Sequence, residues 1–347
     1  MFSTHVREWP PVSVIMPVLD EERHLSAAVT RVLDQDYPGD LELVLALGPS
    51  RDRTAEVAAT LAARDPRLRL IDNPAGRTPN GLNAAIDAAR HGIIVRVDGH
   101  GLLSQEYVRR AVQVLEDTGA ANVGGIMQAE GETDFEQAVA RAMTSPFGIG
   151  GARFHVGGAA GAADSVYLGV FRREVLERLG GYDEHFARAQ DWELNYRIRN
   201  AGETVWFTPD LVVTYRPRGN LAALAKQFFG SGQWRREIVR CHPGTVSPRY
   251  LAAPVATASA GLGTAAGVAA ALGGPGWLAA GWVVPAVYIA GAIGVGLIEG
   301  RELPLRARAW LPAVLAVMHL TWGAGFIVGS RHGVSTDSSV SATLEQS

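Results

Sequence analysis

Val12-Ser13-Val14-Ile15-Met16-Pro17-Val18-Leu19-Asp20-Glu21-Glu22 is a short β-branched run that stops at a proline and gives way to three carboxylates. Such a run reads as a buried strand, with the acidic patch just beyond its carboxyl end. The pattern then repeats outward. Residues 25–33 carry helical spacing, 41–47 form a second apolar run, and Asp52-Arg53-Thr54 opens a helix reaching Thr60 and Leu61. Residues 68–72 read as a third strand, and 93–97 as a fourth that ends at Asp98. Strands alternating with helices predict an α/β domain with a mostly parallel sheet and helices on both faces. Ligands of such sheets bind beyond the carboxyl ends of the strands. The polar groups at 20–22, 50–54 and 98–100 are therefore the first candidates for chemistry.

The chain of 347 residues has room for one large α/β domain and an appendage. A net charge of −3 argues against a nucleic-acid partner. Cys241 is the single cysteine, so no intrachain disulfide forms. The segment from Met1 to Pro17 has no apolar run preceded by positive charge, and no cleavable signal is expected.

Beyond residue 250 the character changes. Residues 251–272, 277–298 and 310–328 are each apolar and close to the ~20 residues that cross a bilayer. Gly273-Gly274-Pro275-Gly276 makes a tight turn between the first two, and Gly263 with Gly267 suits close helix contact. Arg301, Arg306 and Arg308 mark the loop before the third span as cytoplasmic. This predicts a multi-pass protein of the cell (inner) membrane, with the domain 10–245 in the cytoplasm and three spans within 250–330. The tail 331–347 is polar, is expected to be disordered and lies on the far side. A set of Ala/Gly-rich core helices is the alternative reading of the same segments.

Six motifs occur in a fixed order. Val12-Ser13-Val14-Ile15-Met16-Pro17-Val18 with Asp20-Glu21-Glu22 comes first, then Ser50-Arg51-Asp52-Arg53-Thr54, Asn80-Gly81-Leu82-Asn83-Ala84-Ala85 and Val97-Asp98-Gly99-His100. Gly180-Gly181-Tyr182-Asp183-Glu184 and Gln190-Asp191-Trp192-Glu193-Leu194-Asn195-Tyr196-Arg197 complete the series. Together they resemble the family 2 glycosyltransferases. The Asp98-Gly99-His100 variant and the stretch from Val166 to Glu184 are similar to the succinoglycan-biosynthesis branch. The resemblance implies a GT-A nucleotide-sugar-binding (Rossmann-like) domain that carries out an inverting, metal-dependent transfer of one sugar. The donor is a nucleotide-diphosphate sugar, and the acceptor is membrane-associated, lipid-linked or another glycan, in cell-envelope or exopolysaccharide synthesis.

On this reading Asp98 and His100 hold a divalent cation, Mn²⁺ or Mg²⁺, because the leaving diphosphate gathers negative charge that a cation neutralises. An extended segment would put both side chains on one side. Asp191 takes the acceptor proton as catalytic base, or caps a helix running from Trp192 to Asn200 whose apolar face carries Trp192, Tyr196 and the stem of Arg199. Glu193 is the second acidic candidate, against the acceptor. Pro17, Val18, Glu21 and Asp52 are expected near the nucleotide, and Arg77, Asn83 and Asp98 near the diphosphate or sugar. Gly48-Pro49 stands where many relatives place an aspartate that reads uracil, which leaves the nucleotide open. Tyr215 stands where many have a further histidine ligand. Arg216, Arg218 and Arg235, with Lys226 and Arg236, either hold phosphate or an anionic acceptor, or form a belt beside the headgroups. Phe228, Phe229 and Trp234 suggest an interfacial helix. Gln233-Trp234-Arg235 departs from the Q-x-x-R-W signature of processive synthases, which favours single-sugar transfer. A catalytically silent, nucleotide-sugar-binding relative at the membrane is the alternative of another class.

Overall fold

The computed structural model describes residues 8–329. The expectations for the first residues and for the tail 331–347 fall outside that range. The chain forms two compact units: Met1–Gln128 with Val156–Tyr215, and Ala129–His155 with Arg216–Ser347.

The first unit begins with β1 (Val12–Val18), α1 (Leu25–Leu33), β2 (Leu41–Leu47), α2 (Thr54–Ala62), β3 (Leu68–Asp72), α3 (Thr78–Ala88) and β4 (Ile93–Arg96). All of these except α3 are read from the sequence, with ends moved by a residue or two. Next come β5 (Leu102–Leu103), α4 (Tyr107–Thr118) and β6 (Asn122–Ala129). The chain then passes through α5 (Asp134–Met143), α6 (Pro146–Ile149) and α7 (Arg153–Val156). It returns as β7 (Gly161–Ala162), β8 (Tyr167–Arg172), α8 (Arg173–Leu179), α9 (Gln190–Asn200) and β9 (Val205–Tyr215).

Among the described residues the strands form one nine-stranded sheet, ordered β3-β2-β1-β4-β8-β6-β9-β5, with β7 beside β9. The parallel prediction holds for β3, β2, β1 and β4. It fails beyond them, since β8 runs antiparallel to both β4 and β6, and β5 and β7 run antiparallel to β9. The cause is a change of connection. Up to β4 each strand is followed by a crossover helix, which returns the chain in the same direction. After β4 the chain turns at residues 99–100 and enters the sheet from its other end.

β1 is buried along nearly its whole length, as an interior parallel strand must be. α1 contributes Leu25, Ala28, Val29 and Val32, one helical stripe, to the same core. The polar exception is Ser13, whose hydroxyl donates to Glu42 Oε1 at 2.7 Å. Glu42 also accepts from the Arg90 N–H at 2.7 Å and from Arg69 at 3.2 Å. This buried knot closes the end of the sheet opposite the acidic loop.

The second unit holds α5, α6, α10 (Leu221–Cys241), α11 (Pro248–Ala271), a 3₁₀ segment (Gly276–Trp282), α12 (Val283–Glu299) and α13 (Leu305–Val328). Pro248–Ala271, Gly276–Glu299 and Leu305–Val328 are each long and apolar enough to cross a membrane. The soluble-core alternative would bury such segments. Instead Leu262 is 74% exposed, Leu272 83%, Trp277 76% and Val287 65%, a surface that needs an apolar surrounding. The third segment starts earlier than the sequence pattern suggests, so Arg306 and Arg308 belong to the first turn of α13. Arg308 donates to the Leu297 carbonyl at 2.9 Å, near the end of α12. α10 lies directly on α13: Arg236 donates to the Phe326 and Ile327 carbonyls at 3.1 and 2.8 Å, and Gln233 to the Gly329 carbonyl at 3.0 Å. Arg236 thus satisfies the open carbonyls at a helix end, where a cation is favoured.

Candidate active site

The loops after β1, β2 and β4 meet at the carboxyl ends of the strands. The acidic loop is tied to the serine–threonine turn residue by residue. Asp20 N donates to Ser50 Oγ at 3.0 Å, Glu21 N to Thr54 Oγ1 at 2.7 Å and Glu22 N to Asp52 Oδ2 at 3.0 Å. In return the Arg51 N–H donates to Asp20 Oδ1 at 2.7 Å, and its guanidinium reaches Asp20 Oδ2 at 3.1 Å. Asp20 takes a left-handed backbone, φ 55°, which an aspartate tolerates better than most residues.

Asp52, expected near the ribose, is a brace. Besides Glu22 N it accepts from Thr54 N at 3.0 Å and from the Thr54 hydroxyl at 2.5 Å. Burial opposes its ionisation, but these bonds outweigh burial and lower its carboxyl below the usual range. Glu21 is 5% exposed and holds His100 Nδ1 at 2.7 Å, placing it behind the histidine. Pro17 and Val18 line the same corner. A Cβ added to Gly99 would come within 2.9 Å of Val18 Cγ1 and 3.0 Å of Glu21 Cγ, so only glycine lets the 98–100 turn approach the end of β1.

Asp98 and His100 lie in a turn closed by the Gly101 N–H on the Asp98 carbonyl at 2.8 Å. Strand alternation therefore does not bring them together, contrary to the sequence argument; the turn does. Burial works against an anionic Asp98. The Arg96 and His100 charges and the hydrogen bond from Arg96 outweigh it and hold the carboxyl below its ordinary value.

Arg96, the last residue of β4, is the functional group that the sequence reading missed. Its side chain is 4% exposed. Nη2 donates to Asp98 Oδ1 at 3.0 Å, and Nη1 is ion-paired with Asp191 Oδ1. Tyr182 lies 5.8 Å from the guanidinium, ring centre to carbon. The signal was an arginine inside Ile93-Ile94-Val95-Arg96-Val97, since a charge in a buried strand must have a partner.

Asp191 stands in the first turn of α9, where the helix dipole favours a carboxylate. It is not the N-cap, because α9 begins at Gln190 and Ala189 occupies the cap in a left-handed conformation, φ 61°. The buried face of α9 is Glu193, Leu194, Asn195 and Ile198. Trp192 and Tyr196 are instead stacked at 5.5 Å on its partly open side.

Two expected ligand contacts are scaffold. Glu193 is 1% exposed and gripped by Arg197 at 2.8 and 3.0 Å, so it is neither an acceptor contact nor a spare base. Arg197 also donates to the Leu179 and Gly181 carbonyls, both at 2.8 Å, fixing α9 to the loop after α8. Asn83 clamps Tyr182, accepting from its N–H and donating to its carbonyl, each at 2.8 Å. With both amide atoms engaged it does not reach for a diphosphate. Gly181 permits the clamp: its φ is 69°, and a Cβ there would meet Asn83 Oδ1 at 2.5 Å. Arg77 precedes α3 and donates to the His185 carbonyl at 3.3 Å.

Arg216, Arg218 and Arg235 belong to the second unit. Arg216 is exposed and paired with Glu132 at 3.0 Å, and Arg218 is half-buried. Arg235 is 7% exposed, donates to the Thr245 carbonyl at 2.6 Å and lies 3.6 Å from the Tyr250 ring centre. Such a covered guanidinium is packing for α10, not an open phosphate site.

A half-parallel sheet with carboxylates at its strand ends and a late helix bringing Asp191 to β4 defines a GT-A glycosyltransferase domain. The same fold occurs in a mannosyltransferase from Pyrobaculum calidifontis, solved with GDP-Man and Mn²⁺ (TM-score 0.61, 22% identity, 93% of this chain and 91% of that one). Residues 13–180 match the model of glycosyl transferase family 2. The succinoglycan biosynthesis protein ExoA of Rhizobium meliloti is 32% identical over 318 residues, 90% of this chain and 93% of the relative. Glycosyltransferase AglE of Haloferax volcanii is 27% identical over 238 residues, 65% and 73% of the two chains. The chain belongs to glycosyl transferase family 2 and is a glycosyltransferase.

Proposed function

We propose that this enzyme transfers a single sugar, with inversion, from a nucleotide-diphosphate sugar to a membrane-associated, lipid-linked acceptor in cell-envelope or exopolysaccharide synthesis. The observation that carries the reading is the convergence of Asp98, His100 and Asp191 at one strand end, with Arg96 touching both aspartates. The relative named for succinoglycan biosynthesis supports the pathway class, and the neighbour holding GDP-Man and Mn²⁺ supports the donor class.

The donor set fits a divalent cation. Arg96 holds Asp98 anionic, and with the Glu21 carboxylate accepting from its Nδ1–H a neutral His100 would present Nε2 to the ion, an arrangement typical of metal-bound histidines. Asp98 and His100 would hold Mn²⁺ or Mg²⁺, which neutralises charge on the departing diphosphate. Asp191 accepts the acceptor hydroxyl proton while the oxygen attacks the anomeric carbon. A new C–O bond forms on one face as the bond to phosphate breaks on the other, and the nucleoside diphosphate leaves. Pro17 and Val18 form the wall against which the nucleotide lies, with Arg77 at the diphosphate end. Gly48-Pro49 leaves GDP and UDP both open.

The sheet-bearing part of the transferase domain 10–245 lies on the cytoplasmic side of the cell membrane, as the arginines at 301, 306 and 308 suggest, with the three apolar helices within 250–330 in the membrane; α10, whose Arg236 caps the far end of α13, accompanies that helix. The test is binding of a panel of nucleotide sugars to the detergent-solubilised chain, with and without Mn²⁺, for the native protein and Asp98→Ala. Cation-dependent binding that Asp98→Ala removes is expected. Equal binding by both with a chelator present refutes the metal assignment.

A further inference from the structure

Arg96 sits between two groups that the proposed reaction uses separately, so any role for it rests on the reading of Asp98 as metal ligand and Asp191 as base. Asp98 lies just after β4 and Asp191 on α9, more than ninety positions later in the chain. The two carboxylates occupy the two terminal nitrogens of one buried guanidinium. Like charges brought this close in a partly dry site need a cation between them, and a buried guanidinium equally needs anions. The planar fork of arginine offers two nitrogens at a fixed spacing to two carboxylates; lysine has three donors but all on one nitrogen. The fork is itself fixed. Its strand is interior, and Tyr182, whose ring lies against the guanidinium, is clamped through its backbone by Asn83.

We infer that Arg96 is a positioning residue for the transfer: it aims the Asp191 carboxylate at the Asp98 site and partly neutralises that site before a cation arrives. The two roles have opposed consequences. Arg96 competes with a cation for Asp98, so removing its charge tightens cation binding. Arg96 also orients Asp191, so removing it slows turnover. A residue that merely stabilised the fold would weaken both.

The experiment uses the full chain in detergent. Mn²⁺ binding is measured by calorimetry without donor, and kcat and KM by product detection, for native protein, Arg96→Met, Arg96→Lys and Asp98→Ala. Arg96→Met should bind Mn²⁺ roughly tenfold more tightly, as expected from removing one nearby positive charge. Its kcat should fall about 10²-fold, the scale of a misplaced reacting group, with a much smaller change in donor KM. Arg96→Lys keeps the charge, so Mn²⁺ affinity should stay near native while kcat falls because a single nitrogen does not reproduce the spacing at which the guanidinium holds the two carboxylates. Unchanged kcat in Arg96→Met, or Mn²⁺ binding that weakens alongside turnover, overturns the assignment. If Arg96→Met does not fold, Arg96→Lys decides: native kcat overturns the proposal, and reduced kcat with native Mn²⁺ affinity supports it. Asp98→Ala separates the two levels. Retained Mn²⁺ binding there refutes the metal reading, whereas its loss together with unaltered Arg96 variants refutes only the role of Arg96.

Discussion

Replacing Asp191 by asparagine separates chemistry from architecture at this site. Asparagine keeps the size of the side chain and its place in the first turn of α9, but it accepts no proton at neutral pH. A general base contributes roughly 10²–10⁴ in rate, equivalent to about 3–5 kcal/mol of barrier, and turnover should fall by that factor. The structural cost is far smaller. Asp191 is 32% exposed and shares Arg96 with Asp98, which keeps the guanidinium neutralised after the substitution. With screening of a part-exposed pair, a loss of about 1 kcal/mol is expected, a fall in melting midpoint of roughly 2–4 °C. Donor affinity should change little, because the nucleotide contacts and Asp98 are untouched. Calorimetry of donor binding and product detection on one preparation measure both quantities. Donor binding that disappears in step with turnover would make Asp191 a donor ligand or a structural group. Full turnover would refute the base assignment outright, and Glu193, buried against Arg197, offers no replacement.

Glu42→Gln should cost about 2–3 kcal/mol, since it leaves Arg69 and the Arg90 N–H facing a weaker acceptor in a buried knot. Burial resists ionisation of Glu42, yet the bonds from Ser13, Arg90 and Arg69 lower its folded value below the ordinary 4.5. Its contribution is therefore full above about pH 4.5 and lost as pH falls through the lower folded value. Thermal melts between pH 3 and 7 should show a gap between native and variant that narrows with acid, at roughly these values, and a constant gap would refute the linkage. Asn83→Ala should lower the melting midpoint and reduce kcat by freeing Tyr182 and with it Arg96, while Mn²⁺ binding persists; unaltered kcat would show that the clamp does not reach the site. Gly99→Ala should weaken donor and cation binding together by pushing the 98–100 turn off Val18 and Glu21, and native binding would contradict that close approach. Reporter fusions at Arg306 and at the C-terminus should fall on opposite membrane faces, and same-side signals would remove one of the three crossings.

Local periodicity made the first hundred residues legible. β1 and β2 are buried apolar runs, β3 alternates Leu68 and Leu70 with Arg69 at the sheet edge, and α1 shows its stripe at Leu25, Ala28, Val29 and Val32. The three apolar helices were legible for the same reason, since length and composition alone mark them. The antiparallel half of the sheet was not. β5 and β7 are two residues each, too short to carry a period, and the direction of β8 depends on its partners. Nor did the sequence show that Ala129–His155 would join the helical unit, because nothing in a linear pattern reports on long-range packing.

At the site, residue types were legible and their partners were not. Asp98, His100 and Asp191 stand out because each falls within one of the six ordered motifs, although a first-turn carboxylate such as Asp191 also suits the helix dipole. Glu193 and Asn83 looked equally available, and both are engaged by groups brought to them in the fold, Arg197 from the next turn and the Tyr182 backbone from about a hundred residues away. A carboxylate in a motif is thus a candidate only until its cation is known. Arg96 inverts the case. An arginine in an apolar strand looks like an error in the pattern, and the error is informative because the desolvation of a guanidinium is tolerated only where anions wait for it. Here two wait, one just past the strand and one on a helix more than ninety positions later, and both belong to the proposed chemistry. The breach of local pattern at β4 therefore points to the reacting centre more directly than the conforming residues around it.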